Sequence, residues 1–307
     1  MRLVALLLIL LASLPRTAPA ETLRVGPGER FARPSLAAAV ARPGDRVLIA
    51  PGRYTDCTIW RTPDLGIIAD GGAVEITGPV CGRKALFGTA APRIEITGLT
   101  FRRAATPGGN GAGIRAEGGD LTIRASRFEQ NENGILAAAI PDATILIEDS
   151  VFLRNGALEE GFDCAHGIYI GGIGSLVVRR SRFEATRICH HVKSRALRTE
   201  ITDSQILDTQ GSQASYLVDI PNGGEVLMRG NTFRKGPDSG NPGTVIAIGF
   251  EGVRHPTPRL IILQNRLENL MPRPTVFVAN RSETPAELSG NTLNGWVVAL
   301  TGPGAAR

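Results

Sequence analysis

The chain has 307 residues, 34 Lys and Arg against 29 Asp and Glu, and a net charge of +5. That balance is too mild for a dedicated nucleic-acid binder, which clusters basic residues densely, and it suits an anionic partner such as an acidic polysaccharide. Glycine is abundant and aromatic residues make up only 5%, as tight turns and a narrow core favour.

Residues 1–20 read as a signal peptide. Arg2 gives a short basic start, Leu3 to Leu11 is an apolar run too short to span a bilayer, and Ala18-Pro19-Ala20 fits the small-x-small cleavage rule. The alternative is a membrane anchor, but no second apolar run follows, so no stable membrane insertion is expected. The mature chain, 21–307, is expected to be one periplasmic or secreted domain.

Ser35-Leu-Ala-Ala-Ala-Val-Ala41 is a short helix former, with Ser35 as a candidate N-cap. It leads into Arg42-Pro-Gly-Asp-Arg-Val47-Leu-Ile49-Ala-Pro-Gly-Arg-Tyr54, a strand between two Pro-Gly turns.

From about residue 94 a unit recurs. Its mark is Ser or Asn, one residue, then Phe, Leu or Ile: Ser126, Ser150, Ser181, Ser204, Asn231, Asn265 and Asn291 each open one copy. Leu99-Thr100-Phe101 is a weaker first copy. Copies lie roughly 23 to 34 residues apart, a period that means one supersecondary unit stacked on its neighbours. An alternating stretch such as Leu121-Thr-Ile123-Arg precedes each mark, and a variable turn and a second short strand follow. No stretch after the N-terminus has helical periodicity. The pattern predicts an all-β fold: a single-stranded right-handed parallel β-helix, with roughly two strands per turn, about nine to eleven turns and the helix at 35–41 capping its N-terminal end.

The four cysteines are Cys57, Cys81, Cys164 and Cys189. Each pair is spaced by about one turn of the solenoid, where neighbours lie about 4.8 Å apart, near the separation a disulfide needs. Export permits oxidation, so Cys57–Cys81 and Cys164–Cys189 are expected. Four buried thiols stacked in the core are the alternative.

The entrance and the repeat together resemble the pectate-lyase-like right-handed parallel β-helix superfamily: a small helix, then "PGD-x-V-x-I-x-PG-x-Y" at 43–54. The resemblance covers nearly all of the mature chain. It implies a carbohydrate-active scaffold, but one that hosts lyases, epimerases, hydrolases and inert proteins alike.

Polar chemistry concentrates between residues 155 and 222. If Ile168, Ile170 and Val192 face the core, then Tyr169, His191, Lys193 and Arg195 face outward. Placing Val218 and Ile220 inward turns Asp219 out, so that Tyr169, Lys193 and Asp219 form a ladder. The other register, with Leu217 inward, buries Asp219. Such a ladder suits removal of the proton alpha to a uronate carboxylate. Arg195 can grip the carboxylate, Lys193 or His191 can be the base, and Tyr169 the acid. A solvated basic face with a Lys–Asp pair is the competing reading. His166 and His190 share a corner register and are expected to bond turn backbone, with Tyr216 as a further supporting residue and His255 in a loop. Glu159, Glu160 and Asp163 fill an acidic turn that could bind Ca2+, a cation the resemblance also suggests.

Two narrower motifs are not matched. His166-Gly-Ile-Tyr-Ile-Gly171 is only loosely similar to the polygalacturonase turn, and the paired Asp-Asp that family uses is absent from the sequence. The Asp-Pro-His-Asp of mannuronan epimerases is absent too. The leading function is therefore lyase or epimerase chemistry on an acidic polysaccharide. The alternatives are a glycoside hydrolase, for which Asp219 with Glu251 is the available carboxylate pair, and a non-catalytic carbohydrate-binding solenoid.

Overall fold

A computed structural model describes residues 19–161 and 163–307; the segment read as a signal peptide lies outside these apart from its last two residues. Three parallel sheets run the length of the chain, one of twelve strands and two of ten, each strand hydrogen-bonded to its counterpart one turn earlier and later. The first sheet runs from Thr22–Val25 to Gly304–Ala306, the second from Gly52–Thr55 to Thr292–Asn294 and the third from Thr58–Trp60 to Val297–Thr301. The architecture is a parallel β-helix of ten complete turns.

Each turn has three strands, where the sequence suggested two. The alternating stretch lies in the first sheet, the Phe-bearing mark strand in the second, and the later strand in the third. From the third turn onward the corner between the first two is made at one left-handed residue: Ala125, Asp149, Arg180, Asp203 and Gln264 with φ of 45–54°, and Gly98, Gly230 and Gly290 with φ of 63–79°; the first two turns use longer corners, at 50–51 and 70–73. A corner this tight carries no Pro-Gly signature, so the two strands read as one.

The Ser or Asn that follows this residue stabilises the corner. Each mark accepts the backbone N–H of the mark one turn earlier: Ser126 N–H to Ser150 Oγ at 3.2 Å, Ser150 to Ser181 at 3.1 Å, Ser181 to Ser204 at 3.1 Å, Ser204 to Asn231 Oδ1 at 2.9 Å, Asn231 to Asn265 at 3.0 Å and Asn265 to Asn291 at 2.9 Å. A left-handed non-glycine residue costs on the order of 1–2 kcal/mol, and this ladder offsets it by satisfying an N–H that the corner removes from the sheet. Two residues beyond each mark, Phe101, Phe128, Phe152 and Phe183 stack inside at centroid spacings of 5.1, 4.6 and 4.5 Å.

The helix is shorter than expected, Pro34–Ala38, and Ser35 is not its N-cap. Arg33 holds that position and Pro34 starts the helix, because proline is pre-set for the first turn and lacks an N–H to satisfy. The Ser35 N–H instead donates to Asp56 Oδ2 at 2.7 Å.

Both expected disulfides are present, Cys57–Cys81 with Cα atoms 5.5 Å apart and Cys164–Cys189 with Cα atoms 6.3 Å apart. Among the described residues, no helix is long and apolar enough to cross a membrane.

The ladder gives a stability test. Asn231 is 1% exposed, and besides accepting from Ser204 it donates to the Ile201 carbonyl and to Asn265 Oδ1. Asn231→Ala strands those groups and should lower unfolding free energy by about 1–3 kcal/mol. Asn231→Ser, which restores the acceptor used in earlier copies, should cost less. Urea unfolding reads both, and an unchanged midpoint for the alanine variant would remove the ladder from the account.

Candidate active site

The outward column of the third sheet carries the site. Tyr169 pairs with Lys193, and Lys193 with Asp219, in adjacent strands Ile168–Ile170, Val192–Ser194 and Val218–Ile220. Ile168, Ile170, Val192, Val218 and Ile220 are fully buried, so period-2 alternation turns the three polar residues away from the core. Leu217 is buried as well, at the corner before its strand, without displacing Val218 from the inward position.

Lys193 lies between two carboxylates. Its Nζ is 3.1 Å from Asp219 Oδ2 and donates to Glu251 Oε1 at 2.6 Å. Arg195, just past the strand, spends its whole fork locally: Nε donates to the Tyr169 hydroxyl at 2.8 Å, Nη1 to Asn222 Oδ1 at 2.5 Å and Nη2 to Glu251 Oε2 at 2.5 Å. A single carboxylate, that of Glu251, therefore bridges the two cations. It reaches them from the turn after strand Thr244–Ile248. That turn is fastened in place by Asn222 Nδ2 donating to the Gly252 carbonyl and by the His255 ring against the Arg195 carbonyl.

His191 is not on this face, contrary to the sequence expectation. It is fully buried; Nδ1 lies 2.8 Å from Thr186 Oγ1 and Nε2 lies 2.8 Å from Asp208 Oδ1. The strand begins only at Val192, and the bend at His191 breaks the alternation that would have carried it outward. Inside, a buried hydroxyl and a buried carboxylate occupy both ring nitrogens, which leaves His191 no route to a substrate.

His166, His190 and Tyr216 form an outer stack beside the ladder, with centroids 5.1 and 5.0 Å apart. His166 Nδ1 accepts from the His190 N–H, and His190 Nδ1 from the Tyr216 N–H, both at 3.2 Å. In the neutral ring the His190 proton then sits on Nε2, which faces Asp219 Oδ2 at 3.5 Å. Phe250 continues the stack, with Arg281 lying 3.9 Å over its ring.

Burial sets the electrostatics. It pushes His190 down to about 3, helped by Lys193 and Lys235, and holds His166 well below its ordinary value. Burial raises the Asp219 carboxyl, with Lys193 opposing. Burial would also raise Glu251, but the hydrogen bonds from Lys193 and Arg195 outweigh it and hold that carboxyl low.

The acidic turn does not assemble a metal site. Glu159 accepts from the Gly108 N–H at 2.6 Å, while Glu160 and Asp163 stand exposed. Among the described residues, no three His, Cys, Asp or Glu side chains gather around a cation position. Among the described residues, the acidic turn therefore does not fit calcium.

Of the expected residues the structure brings together Tyr169, Lys193, Arg195 and Asp219, with His166, His190 and Tyr216 alongside. The sequence reading missed Asn222, Phe250 and Arg281, and placed Glu251 only as a possible hydrolytic carboxylate. All four lie at or beyond the end of the next turns, at distances in sequence that alternation does not encode.

No protein-family model matches the chain, and no curated protein matches it. Its fold is shared by solved structures. An alginate lyase from Paenibacillus sp. strain FPU-7 is 14% identical, with a TM-score of 0.57 over 91% of this chain and 99% of that one. ORF18 of Geobacillus virus E2 is 11% identical, with a TM-score of 0.54 over 90% of this chain and 57% of that one. At these identities the likeness is one of fold: the chain is a parallel β-helix of the kind these proteins adopt.

The imidazole shifts predict a pH response. Both folded-state pKa values lie below the ordinary value near 6.5. Between the folded and unfolded values the unfolded chain binds more protons, so this contribution is complete above about 6.5 and is lost as pH falls. Glu251 acts in the same sense at lower pH and Asp219 in the opposite one. Melting temperature should fall from pH 7 to pH 4, and His190→Phe, which keeps the stack without a titrating ring, should flatten the fall. An equally steep fall in that variant would rule His190 out as a source.

Proposed function

We propose that this chain is an exported lyase that cleaves a uronate-containing polysaccharide by β-elimination. One observation carries the reading: Lys193 and Arg195 converge beside the Tyr169 hydroxyl and already grip a carboxylate, that of Glu251. A uronate carboxylate entering in place of Glu251 would meet the Arg195 guanidinium, with Lys193 Nζ beside its alpha carbon. Membership of the pectate-lyase-like superfamily and export to the periplasm or medium belong to the same proposal; the disulfides are compatible with export.

The step follows from those positions. A base removes the proton alpha to the carboxylate. The electron pair moves into the carboxylate, where Arg195 neutralises the developing charge. The pair then returns to form the carbon–carbon double bond as the β-oxygen leaves and takes a proton. Lys193, in its uncharged form, is the base, and Asp219 Oδ2, 3.1 Å from its Nζ, holds the amine in position. Tyr169 is the acid: Arg195 Nε–H already donates to its oxygen, so the charge left when that proton departs is met by a cation.

The fold shared with an alginate lyase makes alginate the first substrate to assay, followed by other polyuronates, with ultraviolet absorbance of the unsaturated product as the readout. Tyr169→Phe should lower turnover by about 10²–10⁴-fold with melting little changed. Lys193→Ala should do the same but also destabilise, because it leaves the Asp219 carboxylate, 3% exposed, without its cation. Lys193→Ala with Asp219→Asn removes both charges and separates the effects. Proton exchange by NMR without unsaturation would make the protein an epimerase; new reducing ends without unsaturation would make it a hydrolase. Full activity in Tyr169→Phe would sink the acid assignment.

A further inference from the structure

The outward column continues past Tyr169 toward the N-terminus. Tyr169 pairs with Leu136, and Leu136 with Arg115. Arg115 therefore stands on the same track as Lys193, three strand spacings away, roughly 14 Å. Between Arg115 and Tyr169 lies a cleft of about 230 Å³, lined also by Asn110, Asn133, Asp163 and His166.

Two groups in this cleft lack partners for their donors. Asn133 is 1% exposed, and its Oδ1 accepts from the His166 N–H at 2.9 Å, but its Nδ2 is buried and, among the described residues, makes no hydrogen bond. A buried amide donor left unpaired costs on the order of 1–3 kcal/mol, so its presence beside an open cleft points to an acceptor supplied from outside. Arg115 contacts Glu117 through Nε at 3.3 Å and, among the described residues, makes no hydrogen bond through its two terminal nitrogens. Lys84 holds that same Glu117 oxygen at 2.6 Å, so the carboxylate is shared and the Arg115 fork keeps capacity for a second anion. Leu136 between them offers an apolar floor for a sugar face. Asp163, exposed on the rim, carries only acceptors and suits sugar hydroxyls.

We propose that this cleft is a second saccharide-binding subsite, in which Arg115 and Asn133 Nδ2 hold an acidic sugar several units along the chain from the one at Lys193. The inference rests on the proposed lyase reading and deepens it. The ligand is an oligomer that lies along the β-helix axis, because no single ring reaches from Lys193 to Arg115. Affinity then grows with chain length until both positions are filled.

The test uses the full mature chain and alginate oligosaccharides from trisaccharide to octasaccharide. Wild type should show a KM that falls with length. Arg115→Ala should shrink the advantage of the octasaccharide over the trisaccharide about tenfold, the loss of one charged hydrogen-bonding partner, and Arg115→Lys should restore part of it. Melting curves of both variants check the fold, which Arg115, on the outer face, should leave intact. If wild type is active and Arg115→Ala keeps the full length dependence, the subsite is refuted while the lyase reading stands. If wild type neither binds nor cleaves alginate or any other polyuronate, both fall together.

Discussion

Everything in this molecule depends on one repeat distance, the strand spacing of about 4.8 Å at which each turn rests on the one before. Parallel pairing carries register from turn to turn in all three sheets, with one shift between Ile140 and Thr144, so a residue's neighbours are its counterparts in adjacent turns rather than residues near it in sequence. Core, corner and site are three uses of that constraint. Phenylalanines stack because they recur at one register position. Ser and Asn marks bond because each side chain lies one spacing from the next N–H. Tyr169, Lys193 and Asp219 meet for the same reason, with no loop needed to bring them together.

The constraint also explains why a charged cluster is tolerated on a sheet face. Lys193 is 8% exposed and Asp219 is 2% exposed, and a buried charge is stable only where its partner is fixed. Register fixes Asp219 against Lys193. The turn around Glu251 supplies the remaining countercharge and is itself clamped by Asn222 and His255. Glu251, 43% exposed, is the least buried member of the cluster and the one whose movement would disturb the sheet least.

Alternation and periodicity made much of this legible in the sequence. The repeat announced stacked turns, one-turn spacing gave both disulfides, and placing Val192 and Val218 inward was enough to put Lys193 against Asp219. The misreadings share one physical origin, in that alternation holds only within a strand. A single left-handed residue such as Ala125 or Arg180 turns the chain without punctuation, so two strands looked like one. At His191 the bend comes one residue before the strand, and a side chain read as outward is buried against Asp208. Glu251, Asn222 and Arg281 come from turns, whose reach depends on loop shape.

The same reasoning separates the two kinds of histidine in this region. His191 has both ring nitrogens occupied in the core, so it works as a structural link among Thr186, Asp208 and the chain. His190 lies at the surface stack with Nδ1 tied to backbone and Nε2–H turned toward Asp219. Burial keeps it uncharged, so it can orient Asp219 without adding a third positive charge beside Lys193 and Arg195. A protonated imidazole there would compete with Lys193 for the same carboxylate. Keeping the ring neutral leaves Asp219 committed to Lys193, which is the pairing on which the geometry of the whole cluster rests.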